Sequence, residues 1–407
     1  MDKSSRRTFL QSSLAAGVAI AANPWMASRG ANDRIRIGIV GCGNRGRYIA
    51  GQVNKVVKAR NAAITAVCDV WSPQRENMAA QVEKWSGARP KTFSRHQDLL
   101  GSGLVDAVVI TTPDFAHCPV LVDASRAGVH AYCEKPLSRT FEQAREALQA
   151  VRASGIIVQV GTQRRSEGRF IGAARTLRKG VLGTISEIQT AWHDCNPRWA
   201  RDYKNVKETD VDWKQFLMGQ SDRPFDARRF RCWHLFHDYT NGTPGLLGSH
   251  LIDAALMMVG EGIPTSAVAH GGVYVWKDGR EHCDTIECLW EYPGGFLMRF
   301  ACRLGNNFRV PEVRIHGTAG TFDSSSWKIT PAGASKQRRI KEELVTEKAT
   351  GTNHVDNWLD CIRSGKTPNA SIEYGFAHAV AAAMANEACL KGRRIEYDAK
   401  TMRIRDH

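Results

Sequence analysis

At 407 residues the chain is long enough to bury a sizeable core and to divide into two domains, and with 43% hydrophobic and 24% charged residues its composition is that of a soluble globular protein. The formal net charge of +15 is spread along the sequence, KQRRIK at 336–341 being its only dense run, and no recognisable nucleic-acid-binding module accompanies it, so no nucleic-acid partner is expected. Eleven cysteines, an odd number with no CxxC pair, exclude a disulfide scaffold and a cysteine zinc site.

The chain begins with SSRRTFLQ, a mild apolar segment from Leu14 to Ala22, and small residues near Ala27. Basic, apolar, then small is the order of an export signal, and Arg6-Arg7 before Thr-Phe-Leu resembles the twin-arginine type. Residues 1–28 are therefore expected to be a signal peptide, which places the mature protein in the periplasm or elsewhere outside the cytoplasm. No later apolar run is long enough to cross a bilayer, so no permanent membrane span is expected.

Residues 35–41 form an apolar β-type run that ends in GCGNRG, with Gly41, Gly43 and Gly46 spaced G-x-G-x-x-G, and helical spacing follows. The first glycine permits a tight turn, the second lets backbone approach a diphosphate, and the third lets helix pack on strand. Asn44 and Arg45 then fall at a helix amino terminus, where N–H groups face phosphates. AAITAVCDV places Asp69 about twenty residues on, where a carboxylate binds both ribose hydroxyls. That carboxylate would repel a 2′-phosphate, which favours NAD over NADP, although neighbouring Arg75 or Arg45 could reverse the preference.

Strand and helix patterns keep alternating: VDAVVITTP at 105–113, a helix through Ala127, HAYCEKP, a helix from Phe141 to Ala153, then IIVQVGTQ. Such alternation predicts a parallel sheet with helices on both faces and ligands at the carboxyl ends of its strands. Thr111, Thr112, Pro113 and His117 of TTPDFAH, Glu134 and Lys135 of CEKP, and Gln163 and Arg164 of GTQRR all fall at such ends.

GIVGCGNRG, TTPDFAH and CEKP, in this order and spacing, resemble the Gfo/Idh/MocA oxidoreductases, as do the later GSHLID, IHGTAGTF and HVDNWLDCIRSGKTPNASIEYG. The resemblance covers roughly residues 33–400 and implies an α/β protein: a Rossmann NAD-binding domain at 33–155, then an α+β domain at 156–407 with a large, mostly antiparallel open sheet. It also implies that the lysine of E-K-P lies beside nicotinamide and substrate, so that role passes to Lys135. A partly buried lysine near a cationic ring has a depressed pKa and suits removal of a hydroxyl proton. The family's second acid/base residue is a helical histidine with an aspartate one turn earlier and another just after. GLLGSHLIDAAL matches through His250 and Asp253, but the earlier position holds Leu246, which leaves Asp238 and Asp194 as candidate replacements.

From Trp192 to Tyr239 the chain is dense in Trp and Arg, a composition that suits stacking on sugar rings and binding of hydroxyls or carboxylates. His193, Trp233, Asp238, Tyr239 and Arg164 are the substrate candidates. His193, Asp194, His234, His237, His250 and His282 show no strong metal-ligand spacing, and no metal is expected. GGVYVWKDGREHCDTIECLWEYPGGFLMRF, with DG and GG turns, predicts hairpin strands of the second sheet, which is expected to pair copies of the chain in a homo-oligomer.

Three functions fit this reading. The first is oxidation or reduction of a secondary hydroxyl on a sugar or glycoside, with NAD held tightly and recycled because no cytoplasmic pool replaces it. The second, also known in this family, is redox-neutral glycoside cleavage by oxidation, elimination, hydration and re-reduction. The third is a sugar-binding protein with a degenerate catalytic site.

Overall fold

The computed structural model describes residues 33–407, and the expected signal at 1–28 lies outside the described residues. The first half is a six-stranded sheet: β1 Ile35–Val40, β2 Ala62–Cys68, β3 Lys91–Phe93, β4 Ala107–Ile110, β5 His130–Cys133 and β6 Val158–Val160. Its order is β3-β2-β1-β4-β5-β6, all parallel, so the strand order reverses between β1 and β4. That reversal opens a crevice at the carboxyl ends of these two strands. The helices between strands are α1 Asn44–Val56, α2 Ser72–Ser86, α3 His96–Gly101, α4 Asp114–Arg126 and α5 Phe141–Ser154. Strands covered on both faces read as continuous apolar runs, and AVVI in β4 and HAYC in β5 are buried at every position.

The second half follows with α6 Gly168–Leu177, β7 Ile185–His193, the short α7 Trp213–Leu217 and α8 Ala227–Arg231, a π-helical turn Pro244–Gly248 and α9 Ser249–Val259. Then come β8 Ser266–Gly272, β9 Thr285–Tyr292, β10 Phe296–Arg303, β11 Val313–Gly317, β12 Thr321–Asp323, β13 Lys328–Thr330, β14 Leu344–Val345, α10 His354–Ser364, α11 Ile372–Lys391, β15 Ile395–Asp398 and β16 Arg403–Asp406. The ten strands form one sheet in the order β14-β13-β12-β11-β7-β10-β9-β8-β15-β16, antiparallel except where β7 runs parallel to β10. Helix α11 lies on this sheet, and Trp290 of β9 donates its indole N–H to the Ala381 carbonyl of α11 at 2.9 Å.

Two expectations are corrected here. The boundary at 155/156 cuts the first domain short, because β6 belongs to the parallel sheet and α10 returns to it from far along the chain. Val355, Trp358, Leu359 and Ile362 of α10 share a core with Ile35, Ile37 and Val53, and Arg60 binds Asp356 at 2.6 Å and Asp360 at 2.9 Å. The hairpin reading of GGVYVWKDG also fails beyond Gly272. Asp284 accepts the backbone N–H groups of Tyr274 (3.1 Å), Val275 and Trp276 (both 2.8 Å), which takes those donors away from any ladder.

Candidate active site

A cavity of about 590 Å³ opens where β1 and β4 diverge and extends beneath the second half of the chain. Its nucleotide end is built by the glycine turn. Gly41 has φ +94°, and a Cβ there would stand 2.7 Å from the Thr111 carbonyl; one on Gly46 would stand 2.0 Å from the Gly41 carbonyl oxygen. Gly43 instead faces open space and caps α1 with no side-chain acceptor and no acid in the first turn. The unsatisfied N–H groups of that turn are therefore free to receive a diphosphate. Thr111 ties the two loops together by donating its hydroxyl to the Gly41 carbonyl at 2.7 Å. Asp69 accepts N–H from Cys42 at 2.6 Å and from Trp71 at 2.8 Å, which fixes its carboxylate at the cavity edge. These residues fit a dinucleotide. The two arginines named as able to favour NADP are engaged elsewhere, Arg75 on the Asp69 carbonyl (2.9 Å) and Glu76 (3.6 Å), Arg45 on Glu134 (2.6 Å).

Deeper in, Thr112, Pro113, His117, Glu134 and Lys135 line the same wall with Asn44 and Arg45. The Thr112 hydroxyl is buried with no partner among the described residues, and so is Nε2 of His117, whose Nδ1 lies 2.7 Å from the Pro136 carbonyl. Burial lowers the His117 pKa, which makes it a neutral ring that donates to that carbonyl and leaves Nε2 as an acceptor. Gly161 makes room for the Glu134 carboxyl, which a Cβ would meet at 2.7 Å, and Gln163 holds Glu134 (3.2 Å) and the Tyr132 hydroxyl (2.8 Å) without itself lining the cavity.

At the centre, Lys135 donates from Nζ to the Leu246 carbonyl at 2.8 Å. Leu246 sits in the π-helical turn, so the position that lacks the expected carboxylate contributes its backbone oxygen instead. Burial drives the Lys135 pKa below the ordinary lysine value against the pull of Glu134 and Asp114. His250 faces the same space, its ring stacked on Trp192 with centroids 6.5 Å apart. Burial, then the charges of Lys135, Arg164 and Arg45, push its pKa well below the usual range, so the imidazole is neutral.

The first-domain match is to the oxidoreductase family with an NAD-binding Rossmann fold, over residues 35–162, and the second to the GFO/IDH/MocA C-terminal domain, over residues 215–323. Alignment with the inositol 2-dehydrogenase of Corynebacterium glutamicum (strain R) gives 30% identity over 83% of this chain and 89% of that protein. This chain belongs to the Gfo/Idh/MocA oxidoreductase family. Several other curated relatives match over only about half their own length, among them the uncharacterized oxidoreductase YrbE of Bacillus subtilis at 28% identity over 46% of this chain and 54% of that protein. The 2,7-anhydro-N-acetylneuraminate hydratase of Escherichia coli is 26% identical over 71% of this chain and 67% of that protein. A levoglucosan dehydrogenase solved with NADH and levoglucosan shares the fold, with a TM-score of 0.67 over 89% of this chain and 99% of that one at 17% identity.

Several expected members of this Gfo/Idh/MocA site stand elsewhere. Asp253 is absent from the cavity lining and is fully buried against Arg165, whose Nε lies 2.8 and 2.9 Å from its two oxygens, with His378 at 3.9 Å. Burial alone would raise its pKa; Arg165 and His378 outweigh that and hold it below the usual value. It is a structural ion-pair member, not an acid/base partner. Tyr239 is wholly buried among Phe115 and Phe216, Asp238 pairs with Arg223 (2.8 Å) and Arg229 (3.0 Å), Arg164 pairs with Glu312 (2.9 Å), and His193 ends β7 outside the lining. Asp194 pairs with Arg198. Among the described residues no three His, Cys, Asp or Glu side chains converge as metal ligands, and no helix is long and apolar enough to cross a membrane.

Trp233 does line the cavity, with Trp192 and Trp199. His234 is sandwiched between Trp199 (5.6 Å) and Trp233 (3.5 Å), and burial lowers its pKa far below the usual value.

Asp114, inside TTPDFAH yet not singled out from the sequence, is the residue that reading missed. It starts α4, is buried in the cavity wall, and accepts from the Thr240 hydroxyl at 2.7 Å. Burial pushes its pKa up to about 7, against the lowering effects of Thr240 and Lys135. The unfolded chain therefore gives up this proton at lower pH than the folded one does. The group's contribution to stability is complete below the ordinary carboxylate pKa and is lost as pH rises towards about 7. Asp114→Asn is expected to flatten that slope and to raise the urea midpoint at about pH 8 above wild type. Parallel slopes for the two proteins across this range would contradict the burial argument.

Proposed function

We propose that the protein is an NAD-dependent oxidoreductase acting on a secondary hydroxyl of a sugar or glycoside. The observation that carries the reading is the position of Lys135. Its amine, with a pKa lowered by burial, stands where the glycine-turn end of the cavity meets the end walled by Trp192, Trp199 and Trp233. When bound, the dinucleotide supplies the hydride acceptor. Lys135 in its neutral form takes the hydroxyl proton, and the Leu246 carbonyl orients Nζ for that transfer. Neutral His250 positions the same hydroxyl by hydrogen bonding, while the tryptophan walls hold the ring face and exclude water. Asp69, which repels a 2′-phosphate, together with the engagement of Arg75 and Arg45, supports NAD as the cofactor.

Export is part of the proposal. The twin-arginine-like start suits a protein that leaves the cytoplasm folded, with its dinucleotide already bound, and regenerates it on a second substrate. Pairing of copies through the ten-stranded sheet belongs to the same reading.

Redox-neutral glycoside cleavage is the second reading, and Asp114 favours it. A carboxyl that titrates at about 7 in the same cavity as Lys135 offers the additional acid/base group that elimination and hydration require. Purified protein incubated with a panel of glycosides separates these functions. Keto-sugar with stoichiometric reduced dinucleotide is the expected result for the first; released aglycone without net reduction identifies the second. Saturable sugar binding with neither product would leave only a binding protein.

A further inference from the structure

The chain between β7 and the π-helical turn crosses back to the first domain. Cys195 still bridges Gly305 beside the large sheet. By Val211 the chain forms an antiparallel bridge with Trp71, next to Asp69, where Asp212 donates its N–H to the Val70 carbonyl at 2.9 Å and Ser72 donates to the Asp210 carbonyl at 3.2 Å. Phe216 packs edge-on against Phe115 (5.5 Å) and Phe230 against Trp71 (5.6 Å), before Phe115 donates its N–H to the Tyr239 carbonyl at 3.2 Å. Hydrogen bonds and aromatic contacts thus fasten the segment to the loops after both β2 and β4, the two loops that border a dinucleotide in this fold.

Two of the arginines that this segment presents to the cavity are unmatched. Arg201 and Arg231 line the cavity, and neither guanidinium has a hydrogen bond or ion pair among the described residues. The other cavity arginines do, Arg45 with Glu134 and Arg198 with Asp194. Holding two like charges half-buried without an anion is unfavourable, and burial and Arg231 both lower the Arg201 pKa. The site calls for an anionic ligand. Its position tells which one: Arg231 lies over the Trp71 ring at 5.4 Å, and the backbone N–H of Trp71 donates to the Asp69 carboxylate. That is the nucleotide end, and Arg201, whose charge together with that of Arg231 acts on His234 between Trp199 and Trp233, stands towards the junction with the sugar end, to which Arg198 over Trp192 belongs.

We propose that the chain from Arg201 to Arg231 forms a strap over the nucleotide half of the cavity, on which these two arginines bind the diphosphate of the dinucleotide and slow its departure. The proposal rests on the reading that this cavity holds NAD, and it gives that reading a means of retaining the cofactor.

The test measures release rather than turnover. Full-length wild type, Arg201→Met, Arg231→Met and the double variant are loaded with NADH, freed of excess by gel filtration, and followed by fluorescence while NAD displaces the bound ligand. Wild type is expected to keep its dinucleotide through the column. The double variant should release it at least about tenfold faster, since a hydrogen bond to a charged group contributes more than the 1.4 kcal/mol that a factor of ten requires. The single variants read the same rate should the double variant fail to fold. A second arm titrates the loaded proteins with glucuronate and with methyl glucoside. Unchanged NADH release, with or without a selective loss of glucuronate binding, would overturn the strap, the selective loss assigning the arginines to an acidic substrate. Wild type that takes up no dinucleotide at all would overturn the underlying reading as well.

Discussion

Lys135→Met is expected to lower turnover roughly 10³-fold, within the range that a positioned proton-transfer group supplies, while the loaded protein still binds dinucleotide and sugar. The neutral amine is the active form. Activity should therefore climb with pH through the Lys135 pKa, which burial places below the ordinary lysine value of 10.5. Lys135→Arg separates two roles. A guanidinium stays protonated at every accessible pH, so it could serve as a positive clamp but not as a base. If Lys135 accepts the proton, the arginine variant should be as impaired as the methionine one and should lose the alkaline rise. Turnover within tenfold of wild type in both variants would remove this amine from the proton path.

Asp253→Ala is expected to cost about 3–5 kcal/mol of stability, because it strands the Arg165 guanidinium where both side chains are nearly inaccessible. Replacing both partners, as Asp253→Leu with Arg165→Met, should recover most of the loss, since no unpaired charge remains. The native carboxylate contributes its stabilisation above the ordinary carboxylate pKa and loses it as pH falls through its depressed value, so the gap between wild type and Asp253→Ala should narrow in acid. Denaturant midpoints give the measurement. A single-variant loss below about 1 kcal/mol would mean that the pair is solvated and that the structural role assigned to Asp253 is wrong.

What the sequence makes legible divides along a physical line. GCGNRG, TTPDFAH and CEKP are local: each packs a strand end, a turn and its chemistry into a few residues, so Gly41, Asp69, His117 and Lys135 all line one cavity as their spacing implied. Asp253 was misjudged because helix spacing sets it beside His250, while its partner Arg165 comes from 88 residues earlier in the chain. Asp114 was overlooked for a related reason: its raised pKa arises from burial beneath Thr240, 126 residues away. Tyr239 and Asp238 have the right composition for a sugar site, but composition does not say which side of a loop faces the cavity. The domain boundary failed through α10, whose amphipathic pattern announces a helix without revealing the sheet it covers.

That late helix constrains the order in which the molecule can be made. The face of the first sheet that carries Ile35 and Ile37 is sealed by Trp358 and Leu359, so a ribosome that has released only the first half has produced a nucleotide cradle with a wet back wall. Excising residues 33–155 as a stand-alone module would leave the same face bare and prone to self-association. The first sheet's core is accordingly complete only when residues 354–364 have been made, about 190 residues after its last strand.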